Sequence, residues 1–228
     1  MKKKLLITGF PHCGTSILKT KLGECTNVYE QIDESVNPYP NDLDKFNKSD
    51  KEFFIWKDPI VRNRGERNHI TIMIIRNPYY VFTSQIQRGL DPFKTKLHTY
   101  KDYLNTAKIF LNSKKQNVYC IKYEDLFEDN NSKIKSIMDE IGLKYNDNIF
   151  EKKTKLYSIG DEFSFDLSLS DGTFPEKFTP RKNPGKYRYW QINQDFKNFN
   201  ESKKIDIPKK LEKILKESEI VTKLGYNG

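Results

Sequence analysis

The sequence predicts an α/β fold with three layers, in which a central parallel sheet of about five strands is flanked by helices. Five short apolar segments alternate with segments of helical pattern along the first 145 residues. The run HITIMIIR at 69–76 is continuous and rich in β-branched residues, as expected for a strand covered on both faces. Strands that alternate with helices form parallel sheets, because each helix carries the chain back to start the next strand in the same direction.

The elements follow one another in a regular order. Strands are expected at 5–9, 27–32, 53–57, 69–76 and 117–123. Helices are expected at 15–23, from Asn77-Pro78 through VFTSQIQRG, over roughly 95–115, and at 124–142 with an interruption near Asn130-Asn131. The segment 33–50 is polar and rich in turn-forming residues, so it is expected to be a long loop.

The regular alternation ends after Gly142. Residues 146–200 are aromatic, charged and loop-like, and they are expected to cover a ligand on the same domain rather than to form a second one. Residues 208–224 are laced with Lys and Glu and predict one amphipathic helix that begins with Pro208 in its first turn. The whole chain, 1–228, is therefore expected to be a single domain, with a core at 1–145 and covering loops and a C-terminal helix at 146–228.

Composition narrows the class of protein. The formal charge of +9 favours anionic partners, although a lysine-rich surface with no particular ligand explains it equally well. Three cysteines without framework spacing indicate reduced thiols and a cytoplasmic location. The three histidines form no metal-binding motif. No window is apolar enough to span a membrane, and the apolar run near the N-terminus is too short for a signal peptide.

The stretch ITGFPHCGTS at 7–16 carries the first chemical signal. Gly9 and Gly14 have the spacing of a phosphate-binding P-loop, between a predicted strand and a predicted helix, so the fold is expected to be P-loop-like. Thr15 stands where such loops carry lysine, while Ser16 keeps the hydroxyl. A kinase needs that lysine and Mg²⁺ to offset the charge of the transferred phosphoryl group. A sulfuryl group carries less charge, so this loop suits a phosphosulfate; the alternative is a tight turn that binds nothing.

Two further segments end predicted strands at the edge where α/β sheets bind ligands. Arg76 ends the strongest strand and could grip a phosphate, and Ser84 lies eight residues later in the next helix. Tyr123 opens YEDLFED after the fifth strand. The alternatives are a surface arginine with an ordinary helix serine, and acidic residues that merely favour the start of a helix.

A fourth segment, FTPRKNPGKYRYW at 178–190, interleaves cations with aromatic residues. Arg181, Lys182, Lys186 and Arg188 occur in it without an acidic residue. Such a pattern suits a phosphate beside a base, or nucleic acid. A solvated basic loop is the alternative.

Together the four segments resemble the sulfotransferases that use 3′-phosphoadenosine 5′-phosphosulfate (PAPS), most closely the carbohydrate- and tyrosyl-type members. Residues 9–16 match the family's G-x-P-[RKH]-[SC]-G-T-[ST] loop, and Arg76-Asn77-Pro78 with Ser84 match its R-[DN]-P…S segment. The segments Y-E-D-L at 123–126, I-G-L at 141–143 and R-K-x-x-G at 181–185 follow in the family's order, and FIWKDP at 54–59 resembles its third strand.

The resemblance implies a role for each matching residue. The 5′-phosphosulfate would be held by the loop residues Pro11, His12, Cys13, Gly14, Thr15 and Ser16. The 3′-phosphate would be held by Arg76, Ser84, Arg181 and Lys182. Tyr123 would contact the adenosine, and Lys57 and His12 would act on the sulfuryl group or the leaving phosphate. The product would be adenosine 3′,5′-bisphosphate (PAP), and no metal is implied. His12, Asn77 and Tyr79 depart from the residues that the family more often carries.

A general base must take the proton of the acceptor. Glu34, just after the second strand, is favoured by the resemblance; Asp33 beside it and Asp58 are further candidates, and an ordinary polar loop is the alternative. The acceptor is expected to be a hydroxyl of a carbohydrate or small metabolite, possibly anionic, bound by loops at 33–50, 85–100 and 146–175. A metabolite kinase, or an inactive module that binds nucleotide or nucleic acid, is the competing hypothesis, with nucleic acid the less favoured partner.

Overall fold

A computed structural model describes residues 2–34, 37–58, 69–151, 196–201 and 203–226, with the backbone alone at 32–34. In these ranges five strands form one sheet, in the order β2-β3-β1-β4-β5, and every neighbouring pair is parallel. The strands are β1 (Lys3–Gly9), β2 (Val28–Glu34), β3 (Phe53–Asp58), β4 (Ile70–Ile75) and β5 (Val118–Lys122). The expected parallel sheet of five strands is confirmed.

Seven helices of the described ranges pack around this sheet. They are α1 (Thr15–Gly23), α2 (Pro40–Lys48), α3 (Pro78–Ile86), α4 (Tyr100–Asn112), α5 (Ser132–Ile141), α6 (Lys209–Lys216) and α7 (Glu219–Lys223). The predicted helices at α1, α3 and α4 are confirmed. Asn77 starts α3 by accepting a hydrogen bond from the backbone of Tyr79, and Thr99 starts α4 in a reciprocal capping pair with Asp102.

The predicted interruption near Asn130-Asn131 is also confirmed. Two short 3₁₀ turns, Glu124–Leu126 and Asp129–Asn131, precede α5. Asn130 and Asn131 both have positive φ, at 52° and 65°, a conformation that asparagine tolerates and that a helix cannot contain.

Two local predictions are wrong. Residues 40–48 of the expected loop form α2, which Pro40 opens and whose Phe46 is buried against Phe54. Of its nine residues only Phe46 is buried and only Leu43 packs partly buried beside the same cluster, so the helix carries too short an apolar periodicity to be recognised. Two helices occupy the segment where a single C-terminal helix is expected. The chain leaves the helical conformation at Ser218, between α6 and α7, where the backbone is extended. Pro208 precedes α6 as its cap residue.

The strands bury both faces, as the apolar runs predict. Leu5 and Ile7 of β1 point into a large core that includes residues of α1, α3, α4, α5, α6 and α7. Leu6, between them, points to the other face and packs in a second cluster with Phe46, Phe54 and Trp56. This alternation is the two-residue period of a strand, and it means that α2 covers the opposite face of the sheet.

The parallel arrangement gathers the carboxyl ends of the strands at one edge. The β1–α1 loop starts there at Phe10, Arg76 follows β4 directly, and Tyr123 follows β5 directly. Lys57 and Asp58 end β3 at the same edge, in register with Ile7 and Thr8 of β1. In the described ranges no helix is both long and apolar enough to cross a membrane.

Candidate functional site at the carboxyl edge of the sheet

Two glycines shape the β1–α1 loop. A Cβ on Gly9 would lie 2.2 Å from the carbonyl oxygen of Ile74. β4 can therefore lie this close to β1 only because residue 9 is a glycine. Gly14 has φ +91°, and a Cβ there would lie 2.5 Å from the ring of Tyr123. Both positions therefore require glycine, one for a close approach and the other for its left-handed backbone.

The loop ends in a helix start that suits an anion. The backbone N–H of Cys13 donates to the Phe10 carbonyl (3.1 Å), which closes the turn, and α1 begins at Thr15. The first turn of α1 contains no acidic residue, and no side chain caps it. The first N–H groups of a helix have no partner within the helix and favour negative charge. The geometry is that of a phosphate-binding loop.

Lys57 supplies the cation that the loop itself lacks. Its Nζ donates to Ser16 Oγ at 2.5 Å, although the two residues lie 41 positions apart in the chain. Lys57 is 2% exposed, and the β1–β3 pairing brings it beneath the loop. β3 therefore delivers an ammonium group to a loop that has threonine at position 15.

The backbone of Glu34 lies beside Lys57. The β2–β3 pairing sets Glu34 opposite Lys57, after an irregularity in register that begins at Glu30. The side chains of Asp33 and Glu34 lie outside the described atoms. Asp58, the third candidate base, is buried one residue beyond Lys57.

Arg76 is held rigidly one residue past β4. Its Nε and Nη2 donate to the single oxygen Oδ1 of Asn200, at 2.8 and 2.5 Å, and its Nη1 donates to the carbonyl of His12 at 3.3 Å. The guanidinium lies over the ring of Tyr123, 4.3 Å from the ring centre. Tyr103 donates to the Arg76 carbonyl at 2.8 Å. In the described part of the chain, three of the five guanidinium N–H groups donate in these bonds, which leaves two for a ligand.

Glu124 holds Asn200 in place and so supports Arg76 indirectly. Its Oε1 accepts from the side-chain amide of Asn200 (2.8 Å) and from the backbone of Asn77 (3.0 Å). Its Oε2 accepts from the hydroxyl of Tyr226 at 2.6 Å. The carboxylate thus joins the start of α3, the segment around residue 200 and the end of the described chain. Asn200 stands between this carboxylate and the guanidinium of Arg76.

His12 and Ser84 meet on the other side of Arg76. The Nδ1 of His12 lies 3.3 Å from Ser84 Oγ, and its ring packs edge-on against His98 with centroids 6.0 Å apart. Burial, assisted by the charges of Arg88, His98, Lys203 and Arg76, holds the pKa of His12 well below its usual value. His12 is therefore a neutral imidazole near pH 7, able to donate one hydrogen bond and accept another.

The architecture was compared with solved structures. The mouse sulfotransferase SULT7A1 complexed with PAP superposes with a TM-score of 0.58 and 13% sequence identity, over 99% of this chain and 89% of that one. This chain has the sulfotransferase fold. The sulfotransferase domain of the Synechococcus PCC 7002 olefin synthase gives a TM-score of 0.51 and 15% identity, over 100% of this chain and 97% of that domain. The sulfotransferase domain of the curacin biosynthetic pathway gives 0.50 and 12%, over 100% and 99%.

The likeness is one of fold, at sequence identities of 12 to 15%. No protein-family model matches the sequence, and no curated protein is significantly similar to it. The predicted fold class is confirmed by the sulfotransferase structures, including one with PAP in its site. The described ranges contain no group of three or more His, Cys, Asp and Glu residues that could hold a metal ion.

The sulfotransferase fold brings together most of the residues singled out in the sequence. The loop residues 11–16, Lys57, Arg76 and Ser84 lie at one edge of the sheet. Cys13 is fully buried, and burial raises the pKa of its thiol to about 12, so it contributes backbone rather than reactive sulfur. Tyr123 is buried beneath Gly14 and Arg76, and its hydroxyl donates to the Lys197 carbonyl at 3.0 Å. Arg181 and Lys182 lie outside the described residues.

Three basic residues of this site were missed by the sequence analysis: Arg88, His98 and Lys203. Arg88 follows Ser84 by four residues and lies just past the end of α3, a nearness in the sequence that could have been noticed. His98 was dismissed with the other histidines because it lies far from His12 in the chain. Lys203 belongs to a Lys-Lys pair without any motif, so only the tertiary structure identifies it.

Proposed function

We propose that the protein is a PAPS-dependent sulfotransferase, which transfers the sulfuryl group of PAPS to an acceptor hydroxyl and releases PAP. The observation that carries the proposal is the bond between Lys57 Nζ and Ser16 Oγ. It places a buried cation at a phosphate-binding loop that has threonine in place of the usual lysine. The sulfotransferase fold supports the same conclusion, because a solved structure of that fold holds PAP.

The β1–α1 loop would hold the 5′ end of the nucleotide. Backbone N–H groups from His12 to Ser16 and the hydroxyls of Thr15 and Ser16 would bind its oxygens. Lys57 would place its charge beside the oxygen that bridges phosphorus and sulfur. A fixed cation at a site of developing negative charge stabilises the transition state without reorganisation.

Arg76 and Ser84 would hold the 3′-phosphate. Two of the five guanidinium N–H groups of Arg76 donate to none of the described residues and would donate to the phosphate. Ser84 Oγ already lies 3.3 Å from the Nδ1 of His12. A buried guanidinium pre-oriented by Asn200 and Glu124 loses little freedom on binding. Arg181 and Lys182 are assigned to the same phosphate by the resemblance alone, and the contact of Tyr123 with adenosine is likewise part of the proposal.

The transfer requires one carboxylate as the general base that takes the proton of the acceptor. The acceptor oxygen would bond to sulfur while the bond between sulfur and the bridging oxygen breaks, and the electron pair would stay on the phosphate of PAP. The acceptor proton would pass to Glu34 or, second, Asp33. The backbone of Glu34 lies opposite Lys57 across β2 and β3, on the side where the sulfuryl group would lie. Neutral His12 would donate a hydrogen bond to the leaving phosphate.

The acceptor is proposed to be a hydroxyl of a carbohydrate or small metabolite, and the whole chain is proposed to act as one domain. A cytoplasmic location is also part of the proposal. It is supported by Cys13, Cys25 and Cys120, which are all free thiols.

The test is calorimetric titration with PAP and with 5′-AMP, without Mg²⁺, on the wild type and on Arg76→Ala and Ser84→Ala. We expect micromolar binding of PAP, a strong preference over 5′-AMP, and loss of that preference in both variants. Ser84→Ala removes only one hydroxyl, so it remains informative if Arg76→Ala fails to fold. A screen of hydroxyl acceptors with labelled PAPS then follows.

The same titration separates the competing hypotheses. Binding of ATP only with Mg²⁺ would put the kinase first. Binding of PAP with no turnover across acceptors would favour an inactive nucleotide-binding module. Affinity for oligonucleotides that falls steeply with salt and ignores the 3′-phosphate would point to nucleic acid. An equal affinity for PAP and 5′-AMP would overturn the sulfotransferase proposal.

A further inference from the structure

The described residues 200, 201 and 203–206 form a strap beside the proposed 3′-phosphate site. One end is tied to Arg76 through the side chain of Asn200. The other end is tied to α3, because the backbone N–H of Asp206 donates to Thr83 Oγ1 at 3.0 Å, one residue before Ser84. The strap therefore runs from one proposed phosphate ligand to the neighbour of another.

Lys203 lies in the middle of this strap and is its partly buried cation. Its side chain is partly buried, whereas Lys204, Ile205 and Asp206 beside it are exposed. Its backbone N–H donates to the Asn200 carbonyl at 3.3 Å, which turns the strap at this point. No ion pair of the described residues includes Lys203, although the strap carries the exposed acids Glu201 and Asp206.

The charges of two arginines act on Lys203. Burial, together with the charges of Arg76 and Arg88, lowers the pKa of Lys203 to about 8, and Lys203 in turn acts on His12. The carboxylate of Glu124 accepts a hydrogen bond from the side-chain amide of Asn200. Cations that lie close together repel one another, and an anion bound among them relieves that repulsion.

We propose that Lys203 is a further ligand of the 3′-phosphate, which it would reach from the strap side, opposite Arg76 and Ser84. The inference rests on the proposed function and names a binding residue that lies outside all four motifs of the sequence. A phosphate dianion in this position would neutralise the repulsion among Lys203, Arg76 and Arg88. It would also hold the strap against α3.

The test compares Lys203→Met with the matched control Lys204→Met, which removes the neighbouring exposed lysine. Titrations with PAP and 5′-AMP at pH 8 are run in two buffers of different ionisation enthalpy. We expect Lys203→Met to weaken PAP binding about 10- to 100-fold, as for a lost charge-assisted hydrogen bond. Its affinity for 5′-AMP, and both affinities of Lys204→Met, should stay within about twofold of wild type.

Titration in the two buffers gives the number of protons taken up when PAP binds, and a merely structural role of Lys203 would not change that number. Near pH 8 Lys203 carries its proton only part of the time, so a bound dianion should draw in roughly half a proton more in wild type than in Lys203→Met. Equal PAP affinity in wild type and Lys203→Met, or equal proton uptake, would overturn this inference and leave the sulfotransferase proposal standing. A wild type that does not prefer PAP over 5′-AMP would overturn both.

Discussion

Arg76 and Asn200 lie 124 positions apart in the chain, and two nitrogens of the guanidinium converge on one oxygen of the amide. The other end of the amide donates to Glu124, so Asn200 links a cation and an anion that do not touch. An asparagine in this place satisfies both groups while leaving Arg76 its full charge. The guanidinium is thus held in one orientation by the protein itself.

Replacing Asn200 should affect affinity and stability in different ways. Asn200→Ala leaves two buried N–H groups of Arg76 without their acceptor and takes one of two donors from Glu124 Oε1, so the free energy of unfolding should fall by about 1–3 kcal/mol. Asn200→Asp keeps a partner for Arg76 but sets a second carboxylate against the guanidinium and Glu124. We therefore expect PAP affinity to fall in the order wild type, Asn200→Ala, Asn200→Asp. Urea denaturation and calorimetry measure the two quantities.

The control is Asn112→Ala, which removes an exposed side chain whose one bond among the described residues goes to the carbonyl of Lys108 in its own helix. It should match wild type in both measurements. Equal PAP affinity in Asn200→Asp and wild type would mean that Arg76 is not aimed by this amide.

Gly14 allows a prediction that separates backbone strain from crowding. Gly14→Ala should destabilise the protein by about 1–2 kcal/mol for its positive φ and by a further 1–3 kcal/mol or so for the contact with Tyr123. Gly89→Ala is the matched control, because Gly89 has φ +72° and nothing within 4 Å of an added Cβ. Thermal unfolding of both variants checks the difference. If Gly89→Ala proved as damaging as Gly14→Ala, the packing of Tyr123 against the loop would not matter.

Lys57 is expected to act on turnover more than on binding. Lys57→Met keeps most of the buried volume but removes the ammonium group at Ser16, so the turnover number should fall by about 10²- to 10³-fold. PAP affinity should fall less, since the loop amides and Arg76 remain. Steady-state rates with saturating PAPS and calorimetry with PAP measure the two effects. Lys108→Met, on the exposed side of α4, is the control; a Lys57→Met enzyme of wild-type turnover would refute the role.

Glu34 is expected to be required for the chemical step. Glu34→Gln should lower turnover by about 10²- to 10⁴-fold, because the amide cannot take the proton of the acceptor, and it should leave PAP affinity nearly intact. Asp33→Asn is the matched control on the adjacent residue. Near-normal turnover in Glu34→Gln together with loss in Asp33→Asn would move the base to Asp33.

Lys203 makes stability depend on pH in a defined direction. Its pKa falls from 10.5 to about 8 on folding, so between these values the unfolded chain binds the extra proton and folding becomes more favourable as pH rises. Below about pH 8 the charged lysine costs stability. Lys203→Met should therefore be more stable than wild type near pH 7.5, and the gap should narrow by pH 9.5. Urea denaturation without phosphate tests this, with Lys204→Met as control; a constant gap would contradict it.

Much of the fold was predictable because its signals are local. The continuous apolar run of β4 indicates a strand, and the Gly9–Gly14 spacing indicates a phosphate-binding loop. Each signal lies within a stretch of fewer than a dozen residues. The Asn77-Pro78 helix start does the same. The parallel order of strands then places Arg76 at the binding edge. The helix α2 was missed because its only buried residue, Phe46, packs on Phe54 from another element, and no local pattern reports that contact.

The sequence by itself determined the five-stranded α/β architecture, the phosphate-loop geometry and the place of Arg76 and Ser84, because hydrophobic periodicity and backbone requirements of glycine act over short stretches. Only the tertiary structure decided that Lys57 donates to Ser16 of the loop and that Asn200 accepts from Arg76. It alone also decided that the charge of Lys203 acts on His12. Those relationships join residues that lie 41, 124 and 191 positions apart, through charge and hydrogen bonding across space. Such interactions leave no periodic trace along the chain.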